Sequence, residues 1–196
     1  MPVQLIERFF RELDGAWRWP APEKIRLRVI GSAALMLQTS YVRGTKDSDI
    51  LETLALGPEV QKRLREIAGA DSKLYDRLRM YVDIVSNGLP LLPQVPQCHA
   101  HPLVLQHFEL EVLDVVDVVV SKLKRFSAND VSDISAMIDL EHVPHMRLVD
   151  RFRSALDLAI DFRADQVPLY IANLNRVERD FFGVDESSFE LPGWVE

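Results

Sequence analysis

The stretch that decides the fold is residues 25–51, IRLRVIGSAALMLQTSYVRGTKDSDIL. The segment Arg26 to Ile30 alternates basic and apolar residues, the period-two pattern of a half-buried strand. Gly31 and Ser32 follow, and Ala33 to Gln38 are good helix formers, so the segment reads as strand, tight turn, helix. YVRGTK (41–46) is a polar connection, and DSDILE (47–52), with Ile50 and Leu51, reads as a second strand.

Working outward, Val3, Ile6, Phe9, Phe10 and Leu13 recur at helical spacing, which predicts an amphipathic helix over 3–14 ended by Trp17, Trp19, Pro20 and Pro22. Gly57 and Pro58 open a helix to Ala68, and Lys73 to Arg79 adds a shorter one. MYVDIVS (80–86) is a strand stopped by Asn87-Gly88. Residues 89–106 carry four prolines, which predicts irregular or edge structure, and HFELEVLDV (107–115) alternates as a further strand. Helices are expected at 114–126, 129–140, 147–164 and 166–182, the third with Leu148, Phe152, Ala155, Leu156, Ala159 and Ile160 on one stripe. The expected fold class is therefore α/β (α+β). A small mixed sheet flanked by helices occupies 1–113, and an all-α helical bundle packed on it occupies 114–196, with no linker between them.

Composition narrows the function. In 196 residues, 47% hydrophobic and 27% charged side chains describe an ordinary globular chain and exclude a disordered or fibrous one. Twenty-three Lys and Arg against 30 Asp and Glu give a net charge of −7, which disfavours indiscriminate binding to nucleic acid or anionic lipid. A single cysteine, Cys98, cannot form an intramolecular disulfide, so a cytoplasmic location is expected. Charges at Glu7, Arg8, Arg11, Glu12 and Asp14 interrupt the first helix as a signal-peptide core, and Asp114 and Asp117 interrupt the apolar run around Val115 to Val120, so no membrane segment is expected.

Three elements carry chemistry. Gly31-Ser32 at a strand-to-helix turn offers exposed amide groups and a hydroxyl where a phosphate can sit, although such turns are also common as plain structure. Asp47 and Asp49, two apart on a strand, share a face, so their carboxylates repel unless a cation lies between them; a solvated acidic turn is the alternative. Asp83 stands among the apolar residues of its strand, where Val82 and Ile84 imply burial of at least one face and a charge requires a partner. Three aspartates on two strands beside a phosphate turn describe a two-metal phosphoryl-transfer centre holding Mg²⁺ or Mn²⁺.

This order of elements resembles the nucleotidyltransferase superfamily related to DNA polymerase β, on Gly31, Ser32, Asp47, Asp49 and Asp83. RGTKDSDIL (43–51) is similar to the Arg-x-Thr-x-Asp-x-Asp segment of the branch that includes AbiEii-type abortive-infection toxins, and Lys122, Arg125, Asp130 and Asp133 in SKLKRFSANDVSDI match a later lysine-helix pattern of that branch. The resemblance spans about residues 25 to 140; the gap from Ser32 to Asp47 is somewhat long for it, and Ser48 stands where an apolar residue is usual. It implies transfer of a nucleoside monophosphate from an NTP to an acceptor hydroxyl, with Asp47, Asp49 and Asp83 holding the metal. The acceptor would be a tRNA or other RNA 3′ end or a protein side chain, in a toxin–antitoxin or phage-defence setting with a cognate partner. Gly31, Ser32, Arg43, Lys46, Lys122 and Arg125 are the expected nucleotide-binding residues; for Arg43 and Lys46 the alternative is to offset the charge of Asp47 and Asp49. For Lys122 and Arg125 a solubilising helix face is the alternative, and Asp130 and Asp133 either anchor Arg125 or cap the next helix. A rival for the whole chain is a non-catalytic nucleotide-sensing or partner-binding protein with the same fold; a metal-dependent nuclease is a third reading.

Cys98, His99, His101 and His107 have no spacing of a standard zinc site. His142 and His145 flank Pro144 and read as loop residues, and Phe181, Phe182 and Trp194 as packing or partner surface.

Overall fold

The computed structural model describes residues 2–18, 23–43, 47–51, 56–86, 88 and 90–191. The chain forms two compact units, Met1–Leu89 with Cys98–Asp114, and Pro90–Gln97 with Val115–Glu196.

The first unit is built on a five-stranded mixed sheet. Its strands are β1 (Ile25–Val29), β2 (Asp47–Leu51), β3 (Tyr81–Val85), β4 (Cys98–Ala100) and β5 (Phe108–Leu113), in the order β3-β2-β1-β5-β4. β1 runs antiparallel to β2 and parallel to β5; β2 runs parallel to β3. Among the described residues, four helices accompany the sheet: α1 (Pro2–Ala16), α2 (Gly31–Gln38), α3 (Pro58–Ala68) and α4 (Lys73–Leu78). The alternation read in β1 is realised as a buried row of Ile25, Leu27 and Val29 and an outward row of exposed Arg26 and half-buried Arg28. The α1 stripe of Ile6, Phe9, Phe10 and Leu13 is fully buried, each side chain contributing roughly 2 to 3 kcal/mol by leaving water. Trp17 closes that layer edge-on to Phe108, with ring centroids 4.9 Å apart. Asp14 ties α1 to the approach to β5, accepting hydrogen bonds from the backbone amides of Gln106 and His107, both at 2.8 Å. The proline-rich stretch contributes β4, which takes an outer position in the sheet.

One expectation fails here. Asp83 is not held in an apolar setting: Val82 is buried, but β3 lies at the other outer position of the sheet and Asp83 occupies its exposed row. Solvation therefore supports its charge, and the apolar neighbours in sequence belong to the opposite face.

The second unit contains α5 (Val115–Lys122), α6 (Ala128–Asp139), α7 (His145–Arg163) and α8 (Val167–Val177), the last continued by a π-helical turn over Glu178–Phe182 where an uninterrupted helix was expected. α5 is buried almost all round, including Asp117, whose carboxylate is gripped by Arg151 through Nε and Nη2, both at 2.6 Å, and by the Gln97 amide at 2.7 Å. Leu148, Phe152, Ala155, Leu156 and Ala159 of α7 are buried as their spacing predicts. His145 corrects the loop reading around Pro144. It opens α7, and its Nε2 lies 2.8 Å from Oε1 of the fully buried Glu178. Ser187 also donates to Glu178, from its amide at 2.8 Å and its hydroxyl at 2.6 Å, which pins residues following the last helical turn. Trp194 lies outside the described residues.

Candidate active site

The site begins where β1 hands over to α2. Ile30 donates its amide to the Asp49 carbonyl at 2.9 Å, extending the β1–β2 ladder by one residue beyond the strand. The chain then turns at Gly31, whose φ of +64° lies in the left-handed region. A Cβ there would overlap Oδ2 of Asp49 and stand 3.4 Å from its Cγ. Glycine is thus required twice, once for the backbone and once because the Asp49 carboxylate occupies the space a side chain would need. Ile30, at the N-cap of α2, makes no side-chain cap, and the opening turn of a helix carries amide donors of the kind an anion can use. Ser32 Oγ accepts a hydrogen bond from Arg43 Nη1 at 3.1 Å, which joins two of the expected nucleotide-binding residues.

The sheet supplies the carboxylates. Asp49 and Asp83 are register partners on the adjacent parallel strands β2 and β3, Asp49 half-buried and Asp83 exposed. Directly opposite residues in neighbouring strands project on one face with Cβ atoms about 5 Å apart, so two like charges meet. Asp47 opens β2 opposite Tyr81. Its side chain lies outside the described residues, as does Lys46 altogether. Among the described residues no group of three histidine, cysteine or acidic side chains comes together as a metal cluster. Two facing carboxylates supply only hard oxygen donors, leave further positions for water and phosphate oxygens, and so fit Mg²⁺ or Mn²⁺ rather than a soft metal.

A feature not found from the sequence adjoins them. On the outward row of β1, Arg28 donates to Oε2 of Glu111 through Nε at 3.3 Å and Nη2 at 3.1 Å, while Arg26 Nε lies 3.1 Å from Oε1. Glu111 is the parallel register partner of Arg28, and Leu51 is its antiparallel one. The alternating arginines were visible in the sequence; the carboxylate that takes them up is set by strand pairing across 83 residues.

Lys122 and Arg125 belong to the second unit, where they form an ion network. Lys122 Nζ lies 3.2 Å from Asp130 and 2.7 Å from Asp133, and all three side chains are buried. Arg125 grips Asp130 with Nε at 2.8 Å and Nη2 at 2.9 Å. Asp130 also completes a capping box with Ser127 at the start of α6, so it both anchors Arg125 and caps the helix. Burial opposes its charge, but the hydrogen bonds from Arg125 and Ser127 and the charge of Lys122 outweigh that and hold its carboxyl far below the usual carboxylate range. The histidines of the first unit have separate partners: His99 meets Asp114 at 3.0 Å, His107 meets Asp14 at 3.2 Å, and His101 Nδ1 accepts from the Leu103 amide at 3.3 Å.

A strand, a glycine turn into a helix, and facing aspartates on the two strands beyond it define a nucleotidyltransferase core. The chain belongs to the family described as "Nucleotidyltransferase of unknown function (DUF6036)", whose family model matches residues 13–167 and so spans Gly31, Asp49, Asp83 and the Lys122 network. No curated protein and no solved structure matches the chain significantly. No helix among the described residues is long and apolar enough to cross a membrane.

Proposed function

We propose that the protein transfers a nucleoside monophosphate from an NTP to an acceptor hydroxyl. The observation that carries this reading is the packing of the Asp49 carboxylate against Gly31, with Asp83 in register beside it, an arrangement that supports a phosphate site next to a cation site. The acceptor oxygen attacks the α-phosphorus, the bond from that phosphorus to the bridging oxygen breaks, and pyrophosphate leaves. Asp47, Asp49 and Asp83 would hold Mg²⁺ or Mn²⁺, which supplies positive charge to the triphosphate and the leaving pyrophosphate. Asp83, the most solvent-accessible described member, takes the proton from the acceptor hydroxyl. The opening amides of α2, Ser32 and Arg43 orient the triphosphate, with Lys46 as a further contact. Lys122 and Arg125 are further candidates for contact with phosphate, Arg125 with its side chain 75% exposed and Lys122 joined to it through the shared Asp130.

The acceptor we assign is an RNA 3′ end or a protein hydroxyl, and the AbiEii-like pattern favours a toxin–antitoxin or phage-defence setting in the cytoplasm with a cognate partner. The experiment is thermal unfolding with Mg²⁺ or Mn²⁺ plus each NTP, combined with transfer of α-labelled NTP into RNA or protein extract. Stabilisation with transfer supports the enzyme. Stabilisation that depends on Asp49 without transfer into either acceptor would favour nucleotide sensing on the same fold.

A further inference from the structure

The outward row of the sheet places Arg28 near the carboxylates, with its own ion pair on the opposite side. Arg28 stands opposite Leu51 on β2, two residues from Asp49 and on the same row of that strand. Diagonal neighbours across a strand pair lie about 7 to 8 Å apart, within reach of an arginine, and Asp49 would be a natural partner for Arg28. Yet every polar contact Arg28 makes runs the other way, to Glu111 on β5, through Nε at 3.3 Å and Nη2 at 3.1 Å. Arg26 shares the same carboxylate at 3.1 Å, so one acidic side chain takes up two guanidinium groups. Arg28 and Glu111 are 26% and 22% exposed, which limits the water available to screen them.

We propose that Glu111 is a positioning residue that draws Arg28 away from Asp49, so that its charge does not settle on the carboxylate assigned to the divalent cation. The inference rests on that assignment of Asp49 and goes beyond it. A guanidinium on Asp49 would compete with the cation for the same oxygens and add repulsion to it. Glu111, facing Arg28 directly in the parallel register, removes that competitor by offering a closer partner. Glu109 lies on the same row of β5 opposite Arg26 and is exposed, so it adds negative charge at the row's far end without contacting Arg28.

The test is Mn²⁺ binding to the full chain by isothermal titration calorimetry, with no NTP and no turnover. Glu111→Gln is expected to weaken Mn²⁺ binding about tenfold, since Arg28 turns to Asp49 once its acceptor is neutral. Arg28→Met in the Glu111→Gln background is expected to restore binding to within about twofold of the wild type. Arg28→Met alone, which needs no rearrangement, is expected to bind Mn²⁺ at least as tightly as the wild type. Unchanged binding in Glu111→Gln, or no rescue in the double variant, or weaker binding in Arg28→Met, would each overturn the proposal. Asp49→Asn is run beside them: wild-type Mn²⁺ binding that survives this change shows that the cation assignment itself is wrong. Loss in Asp49→Asn with no effect of Glu111→Gln overturns the positioning role alone.

Discussion

The Asp49 carboxylate lies against the α-carbon of Gly31, in the space that a β-carbon at that position would fill. The relationship follows from strand pairing. The antiparallel β1–β2 register sets Ile30 opposite Asp49, so the next residue, at the turn, comes up beneath the acidic side chain. Gly31→Ala therefore adds both left-handed backbone strain, about 1 to 2 kcal/mol, and displacement of Asp49. The expected result is a lower melting temperature together with loss of stabilisation by Mg²⁺ and NTP. Differential scanning fluorimetry with and without ligand reads both, and a variant that kept the full ligand response would separate the turn from the site.

Asp83 and Asp49 differ in setting, and their substitutions should differ in consequence. Asp83 is exposed, so Asp83→Asn is expected to leave urea-induced unfolding within about 0.5 kcal/mol of the wild type while abolishing nucleotidyl transfer. Removing one of two facing carboxylates also relieves their repulsion in the metal-free protein, so a small gain in stability without cation is consistent with the account. A large loss of stability would mean that Asp83 is a structural residue.

The Lys122 network yields a graded prediction. Lys122→Met leaves Asp130 and Asp133 buried beside a missing cation and is expected to cost about 3 to 5 kcal/mol. Arg125→Met removes a mostly exposed partner and is expected to cost about 1 kcal/mol or less, while raising the KM for NTP. Chemical denaturation of the two variants, with steady-state kinetics of the second, checks the order.

Acid should weaken the second unit through two carboxylates. Asp130 and Glu178 are both fully buried side chains whose charge burial opposes, and both are nevertheless held below the ordinary carboxylate range, Glu178 by Ser187 and His145. A carboxylate with a lowered folded-state pKa binds its proton first in the unfolded chain. Its stabilisation is thus complete above about pH 5 and declines as pH falls through the unfolded value near 4. His101, lowered by burial despite the opposing charge of Glu7, acts in the same direction between its unfolded value of about 6.5 and its lower folded one. Melting temperature against pH should fall on the acid side, and Glu178→Gln should flatten the part of that fall below pH 5 while lowering stability at neutral pH.

The parts legible in the sequence were those written into short-range pattern. The alternation from Arg26 to Ile30 and the glycine turn each specify local geometry, and the structure realises both, with the strand at Ile25–Val29. Features set by pairing between distant segments were not legible. The apolar neighbours of Asp83 suggested burial, but the position of β3 at the outside of the sheet decides which row faces water. Glu111 meets Arg28 only because β5 inserts beside β1, and Arg151 meets Asp117 only because α7 returns along α5. Pro144 read as a loop marker, yet it is the non-helical N-cap residue immediately before α7, and so His145 is a helical residue facing Glu178.

The most direct test of the central claim follows the phosphorus atoms. Purified protein is incubated with Mg²⁺ or Mn²⁺, RNA or protein acceptors, and NTP labelled at either the α or the γ position, alongside Asp49→Asn. The account predicts that α label enters the acceptor, that γ label appears in pyrophosphate, and that both are lost in Asp49→Asn. Transfer of the γ label to the acceptor, or α-label transfer unaffected by Asp49→Asn, would contradict it.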